Sequence, residues 1–310
     1  MIKDSRVRLD VVEKIPVPER VFFFRSCTGS MEYPGLEKSI REITKILGIK
    51  LVESWEQTCC SGYLMTCQTF EPITSLAVTA RNLSIAEREG LDVYTNCNGC
   101  FGWMTEFKHF LDHNGEMREK VDKVLAKIGC TYQGTAQIRH FQELWYRLRD
   151  RIKEKQVRSL DGLPVGIHYG CHYLAKKYDL IDDPEYPTFQ EDIVEMLGGK
   201  PVFYRARREC CGAAVGTMFT HMDDIALPHA YNKLKNAKEE GVELLLTVCP
   251  GCNVQLDRSQ IAMKERGMGE IGIPVIDLSQ LIAWTLGVPG ELLGFHMNSI
   301  PVVIRKEGRK

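Results

Sequence analysis

The stretch AEREGLDVYTNCNGC (86–100) returns as AKEEGVELLLTVCPGC (237–252) with one residue inserted, and this repetition decides the fold. Each copy reads as the end of a helix closed by a glycine, a short apolar strand, and a Cys-x-x-Cys that opens the next helix. Working outward, TCCSG (58–62) answers ECCGA (209–213), and VFFFRSC (21–27) answers GIHYGC (166–171). The cysteines thus form two sets of one pattern, C…CC…CxxC. Cys27, Cys59-Cys60 and Cys97/Cys100 are separated by 31 and 36 residues, and Cys171, Cys210-Cys211 and Cys249/Cys252 by 38 and 37. Ten of the 12 cysteines obey it. Cys67 and Cys130 fall outside and are expected to be small buried residues or inert thiols.

A repeat of this length implies a duplicated domain. The polar run RLRDRIKEKQVRSLDGLP (147–164) supplies the join, giving cysteine-rich domains over about 20–150 and 160–305. Apolar strand candidates alternate with helical patterns in both halves, which predicts an α/β fold: two pseudo-symmetric halves, each a small parallel sheet flanked by helices. The expected strands are Val21–Phe24, Ile49–Val52 and Asp92–Thr95, then Val165–His168, Pro201–Tyr204, Glu243–Val248 and a late Pro274–Ile276. Helices are expected over Leu36–Leu47, up to Gly90, over Phe189–Leu197, up to Gly241 and over Leu278–Leu286. Cys27, Cys97, Cys171 and Cys249 then each follow a strand, where parallel sheets gather their ligands. Helices after CNGC and CPGC would aim backbone N–H groups at whatever the thiolates hold.

Bulk composition narrows the chemistry. Lys plus Arg number 40 against 41 Asp plus Glu, a net charge of −1 that lacks the basic footprint of a nucleic-acid binder. The charged N-terminus MIKDSRVRLDVVEKIPVPER lacks a signal-peptide core, and runs such as VFFF and LIAWTLGV are too short to span a bilayer. A cytoplasmic protein without a membrane span is expected, and in that compartment thiols stay reduced. Metal binding or redox chemistry becomes the leading reading of the cysteines.

Five thiols per half is an uncommon number. Structural zinc and the cubane iron–sulfur cluster each take four ligands, leaving a spare at the same place twice. A cluster opened out from the cubane form can use a fifth thiolate as a bridge, and adjacent cysteines would reach neighbouring irons. The ferredoxin run C-x₂-C-x₂-C-x₃-C-P is absent.

The doubled pattern resembles the cysteine-rich CCG domains of the heterodisulfide reductase B-subunit (HdrB) family. The likeness runs from YPGLEKS through ARNLSIAEREGLD, NCNGCFG and HYGCH to LLGFHMNSIPV, over roughly residues 20 to 305. It implies one noncubane 4Fe–4S cluster on Cys27, Cys59, Cys60, Cys97 and Cys100, and a second on Cys171, Cys210, Cys211, Cys249 and Cys252. The two clusters would flank a small disulfide or thiol substrate, each contributing one of the two electrons that S–S cleavage needs. The resemblance also implies two partners: one small, ferredoxin-like iron–sulfur subunit that delivers electrons, and one flavin-bearing subunit behind it. No G-x-G-x-x-G or P-loop follows a strand, so electrons are expected from such partners.

Two departures bear on specificity. Ser61-Gly62 follows the first cysteine pair where the second keeps CCG, and Arg25-Ser26 precede Cys27 where Tyr169-Gly170 precede Cys171. They bear on the substrate specificity of the first half more than on its cluster, while the extension of about twenty residues before the repeat points toward the heterodisulfide-reductase-like proteins of sulfur oxidisers. Candidate substrate-binding residues are Arg25, His168, His172 and Arg208, while Arg205 and Arg207 could attract an anionic thiol or form a solvated face. The tail LLGFHMNSIPVVI could pack in the core or dock a partner. Two rival readings remain at this level: an electron-transfer component of a 2-hydroxy-acid or succinate oxidising system, and a scaffold with zinc in one or both halves.

Overall fold

The computed structural model describes residues 5–175, 180–213 and 216–304. Eight short strands form two four-stranded sheets: β1 (Arg20–Phe23), β2 (Lys50–Val52), β3 (Val93–Thr95) and β4 (Ile138–His140), then β5 (Pro164–Ile167), β6 (Lys200–Val202), β7 (Leu244–Thr247) and β8 (Val275–Asp277). The orders are β2-β1-β3-β4 and β6-β5-β7-β8, with every pairing parallel. A parallel sheet covered by helices is buried on both faces, which explains why Val21, Phe22, Phe23 and Phe24 form an unbroken apolar run without alternation.

The expected strands and helices agree with the observed ones to within two residues at each end, but the sequence reading omits several elements, among them the helices Leu9–Lys14 and Gly115–Ala126. β4 and the helix after it, Phe141–Arg147, are additions in the first half. The strand is three residues long and carries Arg139 and His140, so its hydrophobicity is weak. Its neighbours supply the order, since Thr95 pairs with His140 as Thr247 pairs with Asp277. The join is also more structured than a polar linker: Arg149–Glu154 is helical and Ile152 is fully buried. The anticipated domain end at 305 lies one residue beyond the described residues.

One large apolar core runs through both halves, a second, with Leu234, Leu245 and Leu256, lies in the second half alone, and the halves exchange elements. Helix Leu278–Thr285 of the second half packs on helix Pro34–Leu47 of the first, and Phe189–Met196 packs on Phe141–Arg147. Helix Cys27–Glu32 lies against Pro250–Glu265, and Cys171–Leu174 against Asn98–His113, so each leading cysteine sits beside the other half's CxxC helix. Polar contacts fix this seam. Asp257 accepts from the Tyr33 hydroxyl at 2.5 Å and from the Ser299 amide at 2.8 Å, and Trp145 Nε1 donates to Ser279 Oγ at 3.1 Å.

The described segments before β1 and after helix Leu278–Thr285 reinforce the second half and the seam. Before β1, the Arg8 amide donates to the Ile181 carbonyl at 2.8 Å, Arg6 pairs with Asp183, and Val12 and Ile15 are buried. In the tail, Leu293 and Phe295 are buried while Val303 is exposed. Gly35 is obligatory here, because a Cβ on it would lie 2.0 Å from the Leu293 carbonyl oxygen.

Candidate metal centre

All ten repeat cysteines lie beyond the carboxyl ends of strands. Cys27 and Cys171 follow β1 and β5, the cysteine pairs follow β2 and β6, and Cys97 and Cys249 follow β3 and β7. In this strand order the chain reverses direction across the sheet between β1 and β3, and between β5 and β7, which opens a crevice at each switch point.

The thiols form one continuous line. Cys27 contacts Cys59, then Cys60, Cys100 and Cys97 follow in turn. Cys97 Sγ meets Cys249 Sγ at 3.8 Å, and the line continues through Cys252, Cys211 (3.4 Å from Cys252), Cys210 and Cys171. Read from either end, the order of repeat positions is the same. Its outer end in the first half is open, with Cys27 and Cys59 exposed, whereas Cys100, Cys249 and Cys252 are buried.

Local backbone geometry turns helix ends and N–H donors on these sulfurs. Cys97 and Cys249 are the N-caps of two 16-residue helices, Asn98–His113 and Pro250–Glu265, whose positive ends face them. The amides of Cys100 and Cys252 donate back to Cys97 and Cys249, and Gly99 donates across the seam to Cys249. Hydrogen bonds from Cys252 and Cys97 hold the Cys249 thiol well below its ordinary range; donation from Cys100 and Cys59 does the same for Cys60. Their neighbours move the other way: sharing with Cys210 pushes Cys211 up to about 12, and contact with Cys60 raises Cys100.

The residue after each cysteine pair takes a left-handed turn, Ser61 at φ 62° and Gly212 at φ 96°. The turn aims an amide at a sulfur, Ser61 N to Cys59 Sγ at 3.4 Å and Gly212 N to Cys210 Sγ at 3.3 Å. At Gly212 a Cβ would lie 2.3 Å from the Ala226 carbonyl oxygen, so only glycine fits. At Ser61 there is room, and the hydroxyl donates to the carbonyls of Cys60 (2.7 Å) and Ser75 (3.1 Å). The departure from CCG therefore preserves the turn.

The remaining candidates separate. His168, directly after β5, is buried, and its ring nitrogens close no hydrogen bond of ordinary geometry, although the Arg207 carbonyl lies nearby. Its donor atom and the sulfurs of Cys211 and Cys252 all lie within 4.8 Å of one another. Burial pushes its pKa down to about 3, so the ring is neutral. His172 instead leans on the other half, with its ring 5.7 Å from that of Trp103 and its Nδ1 near Gly99. Arg25 lies 3.7 Å from Glu53 and stacks on the exposed Trp55. Arg208 is turned to Glu185 and the Pro184 carbonyl, and Arg207 is neither solvated nor open to an anion: it is buried and ion-paired with Glu191 at 2.5 Å.

Cys67 and Cys130 stay outside the line of thiols; neither is buried, and they contact Tyr63 and the Ile128 carbonyl. Asn82 and Lys233 carry no signal of their own in the sequence, although they occupy matching positions before AEREG and AKEEG. Both prove fully buried close to the cysteine-pair loops.

The residues present fit an iron–sulfur group: two sets of five thiols, amides and helix ends turned on the sulfurs, and an orphaned imidazole beside them. The chain is thus a protein of two CCG cysteine-rich domains, which match at residues 21–105 and 165–257. More particularly, it belongs to the heterodisulfide reductase B-subunit family. It is 33% identical to the B-subunit of the ferredoxin/F(420)H(2)-dependent CoB-CoM heterodisulfide reductase of Methanosarcina acetivorans, over 91% of this chain and 94% of that one. It is 32% identical to the 8-methylmenaquinol:fumarate reductase membrane anchor subunit of Wolinella succinogenes, over 90% and 96%. A hypothetical protein from Helicobacter pylori shares the fold at 14% identity, with a TM-score of 0.71 over 93% of this chain and 53% of that one. Among the described residues no helix is long and apolar enough to cross a membrane.

Proposed function

We propose that this protein is the disulfide-handling iron–sulfur component of a multi-subunit reductase. Cys27, Cys59, Cys60, Cys97 and Cys100 would hold one noncubane 4Fe–4S cluster, and Cys171, Cys210, Cys211, Cys249 and Cys252 a second. The observation that carries this reading is the line of ten thiols that runs identically from both ends and meets at Cys97 and Cys249. When bound, two such clusters supply one electron each, which matches the two electrons that breaking or forming an S–S bond moves.

The chain's own residues define the rest. The CxxC helix ends and the amides at Ser61 and Gly212 stabilise negative charge on sulfur. The exposed Cys27–Cys59 end is the side from which a small thiol or disulfide would approach, and Arg25, two residues before Cys27 and held by Glu53 and Trp55, is the candidate cation there. His172 reaches the first centre from the second half, and His168 lies beneath the second. Electrons would come from a small ferredoxin-like iron–sulfur subunit, behind which stands a flavin-bearing subunit.

The Wolinella relative's name favours a second reading, an electron-transfer component serving a fumarate, succinate or 2-hydroxy-acid system. Iron, sulfide and zinc quantified on anaerobically purified protein, with electron paramagnetic resonance after thiol addition, test the first. About eight irons per chain and a thiol-induced signal are expected. Stoichiometric zinc with little iron would replace it with the scaffold reading, and one zinc beside one cluster would confine the cluster to a single half. Two clusters unresponsive to thiol, but reoxidised by fumarate in the native complex, would favour the second reading.

A further inference from the structure

The two centres match in their thiols and differ in what lies behind them. Lys233, on helix Leu227–Glu239, has no measurable exposure. That helix packs against both the CxxC helix Pro250–Glu265 and the turn Arg205–Arg208 that leads into Cys210-Cys211. The Lys233 ammonium donates to the Ala206 carbonyl of that turn and lies 5.6 Å from the Tyr204 ring centroid. Among the described residues no carboxylate forms an ion pair with it. The groups whose negative charge would act on it are, strongest first, Cys211, Glu209, Cys252 and Cys210, so three of these four are thiols of the second centre, which carry that charge once they are metal-bound thiolates.

The first half puts a neutral group in the same place. Asn82 is equally buried and spends its amide on the neighbouring loop, accepting from the Thr58 amide at 3.0 Å and donating to the Cys59 carbonyl at 3.0 Å. Phe24 likewise stands where the second half has His168. An unpaired buried ammonium is costly unless negative charge lies near it. Burial draws Lys233 down to about 8, which leaves it mainly cationic at neutral pH.

Resting on the cluster reading above, we infer that Lys233 is a positioning residue: the internal counter-charge of the second centre, raising that centre's reduction potential while the first has no equivalent. Adding an electron adds negative charge, and a fixed cation in a low-dielectric interior stabilises the reduced form. The two pseudo-symmetric centres are therefore electrically unequal.

The test is a reductive titration of the anaerobically purified full chain, following each centre's resonance. The signals are assigned with Cys60→Ala and Cys211→Ala variants. Two clusters in the unmodified protein establish the underlying reading separately; if they are missing, that reading fails before Lys233 is at issue. In Lys233→Met the midpoint of the second centre should move to more negative potential while that of the first stays in place. No shift, or an equal shift of both, overturns the inference. If Lys233→Met cannot retain the second cluster, Lys233→Arg decides: retained iron supports the need for charge, and loss in both variants assigns Lys233 to packing alone.

Discussion

Cys97 Sγ and Cys249 Sγ stand 3.8 Å apart across the seam between the halves, each the N-cap of its own CxxC helix. They occupy the same place in the two repeats, so the centres are adjacent where their ligand sets match. No protein layer separates them.

That adjacency sorts the cysteines. Cys60→Ala and Cys211→Ala should each lose about half of the iron, because each removes a ligand from one set of five. Cys97→Ala and Cys249→Ala should disturb the resonances of both centres, whereas Cys67→Ala and Cys130→Ala should keep near-normal iron. Iron content with paramagnetic resonance of all six variants checks this, and equal iron loss in all six would reject the assignment.

The turn after each cysteine pair predicts opposite responses in the two halves. Ser61→Gly relieves a left-handed non-glycine residue but loses two hydrogen bonds, and should change stability by no more than about 1 kcal/mol. Gly212→Ala drives a methyl into the Ala226 carbonyl and should cost about 3 kcal/mol or more, with loss of iron from the second centre. Urea midpoints and iron content measure both.

Asp257 ties Tyr33, Ser299 and Ile300 together across the seam. Asp257→Ala leaves buried donors unpaired and should destabilise the chain by about 3 kcal/mol, while Tyr33→Phe should cost about 1 kcal/mol. Thermal unfolding under anaerobic conditions distinguishes them, and equal small losses would place the seam's strength in apolar packing instead.

Burial pushes Asp277 up to about 7. An unfolded aspartate titrates near about 4, so the folded value is the higher one. Its contribution to stability is complete below the unfolded value and is lost as pH rises through about 7, a fall of up to about 4 kcal/mol. Asp277→Asn keeps an N-cap and should flatten this dependence. Unfolding free energies at about pH 5.5 and about pH 8 check it, and an identical slope in both proteins would exclude Asp277 as the source.

The cysteine pattern makes the duplication, the parallel sheets and the grouping of the ten thiols readable without coordinates. A doubled motif constrains both spacing and chain direction, and the strand-then-cysteine order places the sulfurs at the sheet edge. Ser61 reads as a divergence because its backbone angle is invisible in sequence. β4 is hidden because IRH derives its strand character from pairing with β3, although IRHFQELW can be set against VIDLSQLI. Lys233 reads as one of several charges on a polar helix, and only its packing reveals it as buried. Arg207 misleads for the converse reason, since its partner Glu191 comes from a distant helix.

The exchange of leading helices has an evolutionary consequence. Helix Cys27–Glu32 seats on the second CxxC helix as Cys171–Leu174 seats on the first, so the contact between halves is self-complementary. A contact of that kind is what two copies of one half-length chain would make about a twofold axis. The ancestor implied is a homodimer of single CCG units, each with its own five thiols, whose two centres were brought face to face only on association. Fusion then freed the two copies to diverge, and Asn82 against Lys233, like Phe24 against His168, records a difference that identical protomers could never have carried.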